Sequence, residues 1–363
     1  MAEPFLSTLF VGRQTLLNHI IQWTTQERPD HQVWSLVGPP GVGKSYLIHK
    51  VHEVLTRMPD RLILWIDLTR DPAIRGDAPD ITLPGNDTDW LRQAVAQAQR
   101  ICLNVRRFDA AVPFEAMWDT LVHDLCANCS QVTPTLLVDG FDEVTEQQRL
   151  DIEERLLAIF ARRSCTRLLI SRRDENALQS YELRWKECTE AIQVLSAEEA
   201  RAQIKTRLDH WQNRPRHTQQ TGLLPVSSDL LADLNLLETI PPYAWNHPGL
   251  NTLLLERAVY RRLMGLSPLL TKQDVHACLS EVTAAGGVPL SAIEFRRLAE
   301  LANTPGLPDE WTERDLQQLK MTIDDTALKV LFDRGIVVNI EKTPRYTIAS
   351  GLREIVQAWV RLP

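Results

Sequence analysis

Short apolar runs alternate with amphipathic stretches through the first half of the chain. Val33-Trp34-Ser35-Leu36-Val37, Leu62–Leu68, Thr135–Asp139 and Arg167–Ser171 are apolar on both faces, as in the strands of a parallel sheet covered on two sides. Ala191–Leu195 reads as a short fifth strand. Helical periodicity fills the intervals at about residues 14–26, 46–52, 88–105, 113–126 and 146–162. Strands alternating with helices predict an α/β fold, a parallel five-stranded sheet with flanking helices. Residues 71–87, rich in Pro, Gly and Asp, read as loop.

After Ser196 the pattern becomes helical. Ser196-Ala197-Glu198-Glu199 is a helix start, with a capping serine and an acidic first turn. Helices continue to about Leu279, broken by a polar loop at 213–222 and by prolines. Near the end, Leu328–Gly335 is a helix closed by glycine. Ile336–Ile340 and Arg345–Ile348 are short strands around a polar turn, and Gly351–Val360 is a last helix. Helices followed by a β-wing predict a winged-helix domain. The expected divisions are a lead segment and helix (1–30), the α/β core (31–195), a helical lid (196–265) and the winged helix (266–363).

One loop adds chemistry to this frame. Gly38-Pro39-Pro40-Gly41-Val42-Gly43-Lys44-Ser45 fits the phosphate-loop pattern G-x-x-x-x-G-K-[ST], between a strand and a helix that begins near Tyr46. Glycines let backbone N–H groups approach phosphates. Lys44 supplies a point charge and Ser45 a hydroxyl for Mg²⁺. A partner carboxylate for the metal is expected at the end of another strand, and Asp139 is placed there. Asp139-Gly140-Phe141-Asp142-Glu143 puts three carboxylates together. Asp139 would hold Mg²⁺, and Asp142 or Glu143 would orient or deprotonate an attacking water. Ser171-Arg172-Arg173-Asp174 ends the fourth strand, where ligand contacts gather in parallel sheets. An arginine there can reach a γ-phosphate.

Phosphate loop, acidic turn and strand-Ser-Arg-Arg together resemble the STAND class of P-loop NTPases, and most the NACHT branch. That class is itself similar to AAA+ proteins and includes the NB-ARC switch domains. In the resemblance, residues 136–143 match the strand-Asp-Gly-apolar-Asp-Glu motif. Arg173 takes the sensor position, and Asp174 stands where the family has proline. Arg172 is the other arginine open for that role. Val11-Gly12-Arg13 resembles a segment whose backbone lies near base and ribose. His247-Pro248-Gly249-Leu250 resembles a lid motif whose proline touches nucleotide. The resemblance implies ATP and ADP with Mg²⁺, slow hydrolysis, and a switch from an ADP-closed to an ATP-open form that oligomerises or frees a partner. No Asn-Lys-x-Asp run of the guanine-specific kind occurs. With about ten residues before Val11 and no repeats after the winged-helix domain, input and output are expected on partner proteins, with bacterial defence as the expected context.

Composition narrows the alternatives. The 363 residues carry a net charge of −7, so there is no general electrostatic case for nucleic acid or anionic membrane. No signal peptide or apolar run of membrane-spanning length occurs, which implies a cytoplasmic protein. The competing reading is a DNA-associated AAA+ ATPase that uses its winged helix on DNA. From Ser291 onward Lys and Arg are slightly outnumbered by Asp and Glu, which argues against it. The six cysteines are scattered, and reduced thiols are expected. Cys126 and Cys129 form one Cys-x-x-Cys pair near His123, too few ligands for structural zinc, so buried helix cysteines are expected.

Overall fold

The computed structural model describes residues 7–361, apart from 28, 59–60, 69–87, 102–103, 129–131, 142–143, 145, 174–177, 213–245, 268, 285–287, 319–325, 341–342 and 350. The chain divides into two compact units. Gln14–Val37 and Lys44–Ile192 make up most of the first; Thr8–Arg13, Gly38–Gly43 and Gln193–Pro363 form the second.

In the first unit, strands β1 (Val33–Val37), β2 (Arg61–Asp67), β3 (Thr133–Asp139), β4 (Arg167–Arg172) and β5 (Glu187–Ala191) lie in the order β2-β3-β4-β1-β5, all parallel. The helices are α1 (Gln14–Thr25), α2 (Lys44–Thr56), α3 (Thr88–Ile101), α4 (Phe114–Asn128), α5 (Glu146–Ile152), α6 (Ala158–Ala161) and α7 (Tyr181–Arg184). A π-helical turn, Glu153–Leu157, joins α5 to α6. The expected helix 146–162 is thus continuous but locally underwound, with i→i+5 bonding in the π turn. The core gathers Leu64 and Ile66 of β2, Leu136 and Val138 of β3, Leu168 and Ile170 of β4, and Trp118, Leu121 and Phe160 from the helices.

Two expectations are corrected. The fifth strand is Glu187–Ala191, not 191–195. It pairs along β1 from Val33↔Glu187 to Val37↔Ala191, at the sheet edge, where one polar face is tolerated and the apolar signal fades. Ile192 and Leu195, buried beyond it, carry the apolar signal that suggested a later strand. The cysteines are not all reduced: Cys126 and Cys165 form a disulfide. The end of α4 and the turn before β4 bring their Cα atoms to 6.1 Å, inside the range a disulfide spans. Cys188 and Cys278 are free thiols. Cys129 lies outside the described residues.

In the second unit, α8 (Ala197–Gln212) packs on α9 (Pro248–Leu263), and α10 (Lys272–Val282) on α9. Then follow α11 (Ala292–Asn303), β6 (Trp311–Thr312), α12 (Glu313–Gln318), α13 (Thr326–Asp333), β7 (Val337–Asn339), β8 (Arg345–Ile348) and α14 (Leu352–Arg361). The small antiparallel sheet has the order β6-β8-β7. Helix, strand, two helices and a hairpin make a winged helix. Capping boxes at Thr271/Asp274 and Ser291/Glu294 fix the starts of α10 and α11. Leu254, Leu279, Phe295, Trp311, Leu331 and Ile355 lie in one continuous core.

Candidate phosphate-binding site

In the second unit, the loop 38–43 owes its shape to its glycines. Gly41 and Gly43 have φ of 72° and 96°, in the left-handed region that glycine adopts without strain. A Cβ on Gly41 would lie 2.8 Å from Val282 Cγ1 and 2.9 Å from His247 Cε1. The Val42 N–H donates to Pro39 O at 3.3 Å, which tightens the turn. The loop also meets the start of α9, where the Gly249 N–H donates to Gly41 O at 2.9 Å. His247 caps α9, its Nδ1 accepting from the Leu250 N–H, with Pro248 in the first turn. Pro248 Cγ lies 3.7 Å from a Cβ built on Gly43. Behind that turn, Gln203 Nε2 donates to Pro248 O, and Asn251 Nδ2 to Gln203 Oε1.

Of Val11, Gly12 and Arg13, it is Arg13 that contacts the loop. The Arg13 guanidinium donates to Val42 O, Gly43 O and Gln193 O, and the Arg13 N–H donates to Glu199 Oε1 at 3.0 Å. Glu199 also completes the cap of α8 through the Ser196 N–H. Desolvation lowers the Arg13 pKa to about 10, against the favourable charge of Glu199, and the guanidinium stays protonated at neutral pH.

In the first unit, α2 begins at Lys44, followed by Ser45 and Tyr46, all three half-buried. Strand β3 carries Asp139 to the C-terminal edge of the sheet, 1% exposed. Its Oδ1 accepts from the Ser171 hydroxyl, which in turn accepts the Gly140 N–H at 3.3 Å. Its Oδ2 is buried and has no hydrogen-bond partner among the described residues. An anionic oxygen in that condition is costly unless a cation completes it, so the residue fits a metal ligand.

Arg172 and Arg173 part ways after Ser171. Arg172 pairs with Glu187 Oε1, their side chains 3% and 5% exposed, and the Ser35 hydroxyl donates to the same oxygen. Arg173 follows the end of β4 and is buried. Asp142 and Glu143 lie outside the described residues, as does Asp174.

One carboxylate escaped the sequence reading. Asp67 ends β2 in register with Asp139 and is 1% exposed. Its signal was an apolar strand closed by aspartate, the same pattern that marked Asp139.

No family model matches this sequence, and no curated protein is similar to it. Among solved structures it is similar to Cdc6p from Pyrobaculum aerophilum, with 14% identity over 98% of this chain and 97% of that one at a TM-score of 0.41. It is similar to the Thermotoga maritima RuvB Holliday junction branch migration motor, with 13% identity over 96% of both chains and a TM-score of 0.39. For C. elegans PCH-2 the values are 14%, 72% of this chain, 61% of that one, and 0.34. Likenesses this distant carry no argument about activity or partners. The sheet order does carry one about the fold. One strand, β4, separates the strand β1 that leads into the phosphate loop from the acidic strand β3, in an all-parallel sheet flanked by helices. The fold is therefore an α/β P-loop NTPase core with a helical lid and a winged helix.

Proposed function

We propose that the protein is an Mg²⁺-dependent ATPase that works as a STAND-type molecular switch. The observation that carries this is Asp139, a buried carboxylate with one oxygen held by Ser171 and the other without a hydrogen-bond partner among the described residues, in a chain that bears a complete phosphate loop. Backbone N–H groups between Gly41 and Ser45 and the Lys44 ammonium bind the β- and γ-phosphates. Ser45 and Asp139 would hold Mg²⁺, which offsets phosphate charge when bound. Glu143, with Asp142 next in line, takes the proton of the attacking water. Arg173 reads the γ-phosphate, since Arg172 is committed to Glu187. Val11, Gly12 and Pro248 border the nucleotide from the lead segment and the lid, and the divisions 31–195, 196–265 and 266–363 are the moving parts. Exchange of ADP for ATP favours an open form that self-associates or releases a partner protein in the cytoplasm. Hydrolysis is slow and resets the switch, in a role consistent with bacterial defence.

Binding and turnover test this directly. Calorimetry should show ADP and ATP binding that Lys44→Ala abolishes. Glu143→Gln should bind ATP without hydrolysing it. Sizing with ADP and with a non-hydrolysable ATP analogue should give assembly only with the analogue. Unchanged nucleotide affinity in Lys44→Ala would remove the site assignment. Constant size with DNA-stimulated hydrolysis would move the reading to a DNA-associated ATPase. The exposed residues of α13, Thr326, Lys329 and Asp333, offer one cation and one anion, a poor match for a phosphate backbone.

A further inference from the structure

Three consecutive carbonyls of the phosphate loop are held by hydrogen bonds. Gly41 O accepts from the Gly249 N–H; Val42 O accepts from Arg13 Nη2; Gly43 O accepts from Arg13 Nη1 at 3.4 Å. In a planar trans peptide the carbonyl and the next residue's N–H point in opposite directions. A carbonyl held on the outer side therefore fixes the following N–H toward the inner side. The two bonds from Arg13 set the N–H groups of Gly43 and Lys44, which open the anion-binding end of α2.

Arg13 is itself held for this task. Among the described residues it is the only non-glycine with positive φ, 57°, directly after Gly12 at 76°. A non-glycine residue in that region costs free energy and persists only where its surroundings demand it. Those surroundings are Glu199, which binds the Arg13 N–H, and whose Oε1 would lie 2.7 Å from a Cβ on Gly12. Nη2 reaches Gln193 O at 3.1 Å as well, so both terminal nitrogens are engaged with backbone carbonyls. A Cβ on Gly43 would lie 2.6 Å from Nη1, which leaves no space for a side chain between loop and guanidinium.

We infer that Arg13 is a positioning residue for the phosphates. Its guanidinium locks peptide planes 42–43 and 43–44 so that their N–H groups face a bound di- or triphosphate, and it does not itself touch base, ribose or phosphate. Through Glu199 the lock is tied to the cap of α8, so the first lid helix and the loop share one clasp. This inference rests on the nucleotide reading above and assigns the side chain of Arg13 a role distinct from the backbone contact implied by the Val-Gly-Arg resemblance.

The test is calorimetry on the full chain with Mg-ADP, inorganic pyrophosphate and adenosine. Arg13→Met keeps the apolar stem and removes every donor; Arg13→Lys keeps the charge but cannot span two carbonyls. ADP and pyrophosphate should bind about tenfold more weakly in Arg13→Met, as expected for lost charge-assisted hydrogen bonds. Adenosine affinity should change by less than about twofold, because no direct contact is lost. Arg13→Lys should fall between. ADP affinity unchanged in Arg13→Met overturns the inference, as does a loss for adenosine equal to that for ADP. Should Arg13→Met lose its cooperative melt, the ADP-to-adenosine ratio of Arg13→Lys decides. A wild-type chain that binds neither ADP nor pyrophosphate refutes the nucleotide reading itself, an outcome visible before any variant is made.

Discussion

The Ser171 hydroxyl donates to one oxygen of Asp139, and the other oxygen is buried with no hydrogen-bond partner among the described residues. Parallel pairing of β3 and β4 creates this relationship, since Val138↔Ile170 brings the next residue of each strand together at the sheet's C-terminal edge. A group that orients a metal-binding carboxylate tunes the metal site. Ser171→Ala should therefore raise the Mg²⁺ concentration needed for half-maximal ATP hydrolysis by about tenfold, in line with other outer partners of metal ligands. ADP affinity without Mg²⁺ should be unchanged. An Mg²⁺ titration identical to wild type would place the metal elsewhere, with Asp67 the neighbouring candidate.

The disulfide Cys126–Cys165 closes a segment with 39 residues of separation that contains all of β3 and α5. Cross-linking restricts the unfolded chain, and a loop of this length corresponds to about 3–4 kcal/mol. Reduction should lower the melting temperature of the α/β unit, and a Cys126→Ala/Cys165→Ala variant should melt like the reduced protein in the presence or absence of reductant. A melt insensitive to reductant would mean that the bond contributes nothing to the folded state. The bond sits before β3 and β4, at the sheet edge opposite Asp139, so nucleotide affinity should not follow it.

His52 gives a pH dependence. Its side chain packs edge-on against Trp65, as does that of His49, and burial, with the charge of His49 second, pushes its pKa down to about 4. The folded state thus refuses a proton that the unfolded state accepts near pH 6.5. Stability should be fully present above about pH 6.5 and fall as the pH drops toward 4, by at most about 1.4 kcal/mol per pH unit. Thermal melts between pH 7 and 5 should show this decline, and His52→Gln should flatten it relative to wild type. Parallel pH profiles for the two chains would show that His52 titrates normally.

Local pattern accounts for the elements that were readable. β1 to β4 are apolar on both faces, so each is visible within its own residues. β5 is an edge strand of Glu, Cys, Thr, Glu and Ala, and β6 has two residues; neither has room for a period. The wing strand Arg345–Ile348 was legible because its turn and alternation are local. Pairings across long separations were not. Arg13 and Glu199 are 186 residues apart, and nothing in either segment names the other. Cys126 pairs with Cys165 only because α4 ends beside the turn before β4. Asp67 carries the same local signal as Asp139, an apolar strand closed by aspartate, and only the pairing of β2 with β3 sets it beside the proposed metal ligand.

The two arginines after Ser171 should separate cleanly. Arg172 lies in a buried pair with Glu187, whose Oε1 also accepts from Ser35 on the neighbouring strand β1. Removing one partner leaves the other charged, buried and uncompensated, which costs about 3–5 kcal/mol. Arg172→Ala should thus lower the melting temperature strongly, with any loss of nucleotide binding following from unfolding. Arg172→Ala/Glu187→Ala should recover part of that loss, because no lone charge remains. Arg173 follows the end of β4, and its proposed partner is the γ-phosphate. Arg173→Ala should bind ADP as wild type does and lose about tenfold in affinity for a non-hydrolysable ATP analogue, as expected for a charge-assisted contact. Equal loss for ADP and the analogue would deny Arg173 a sensing role. A stable Arg172→Ala chain with selective loss for the analogue would assign the sensor to Arg172.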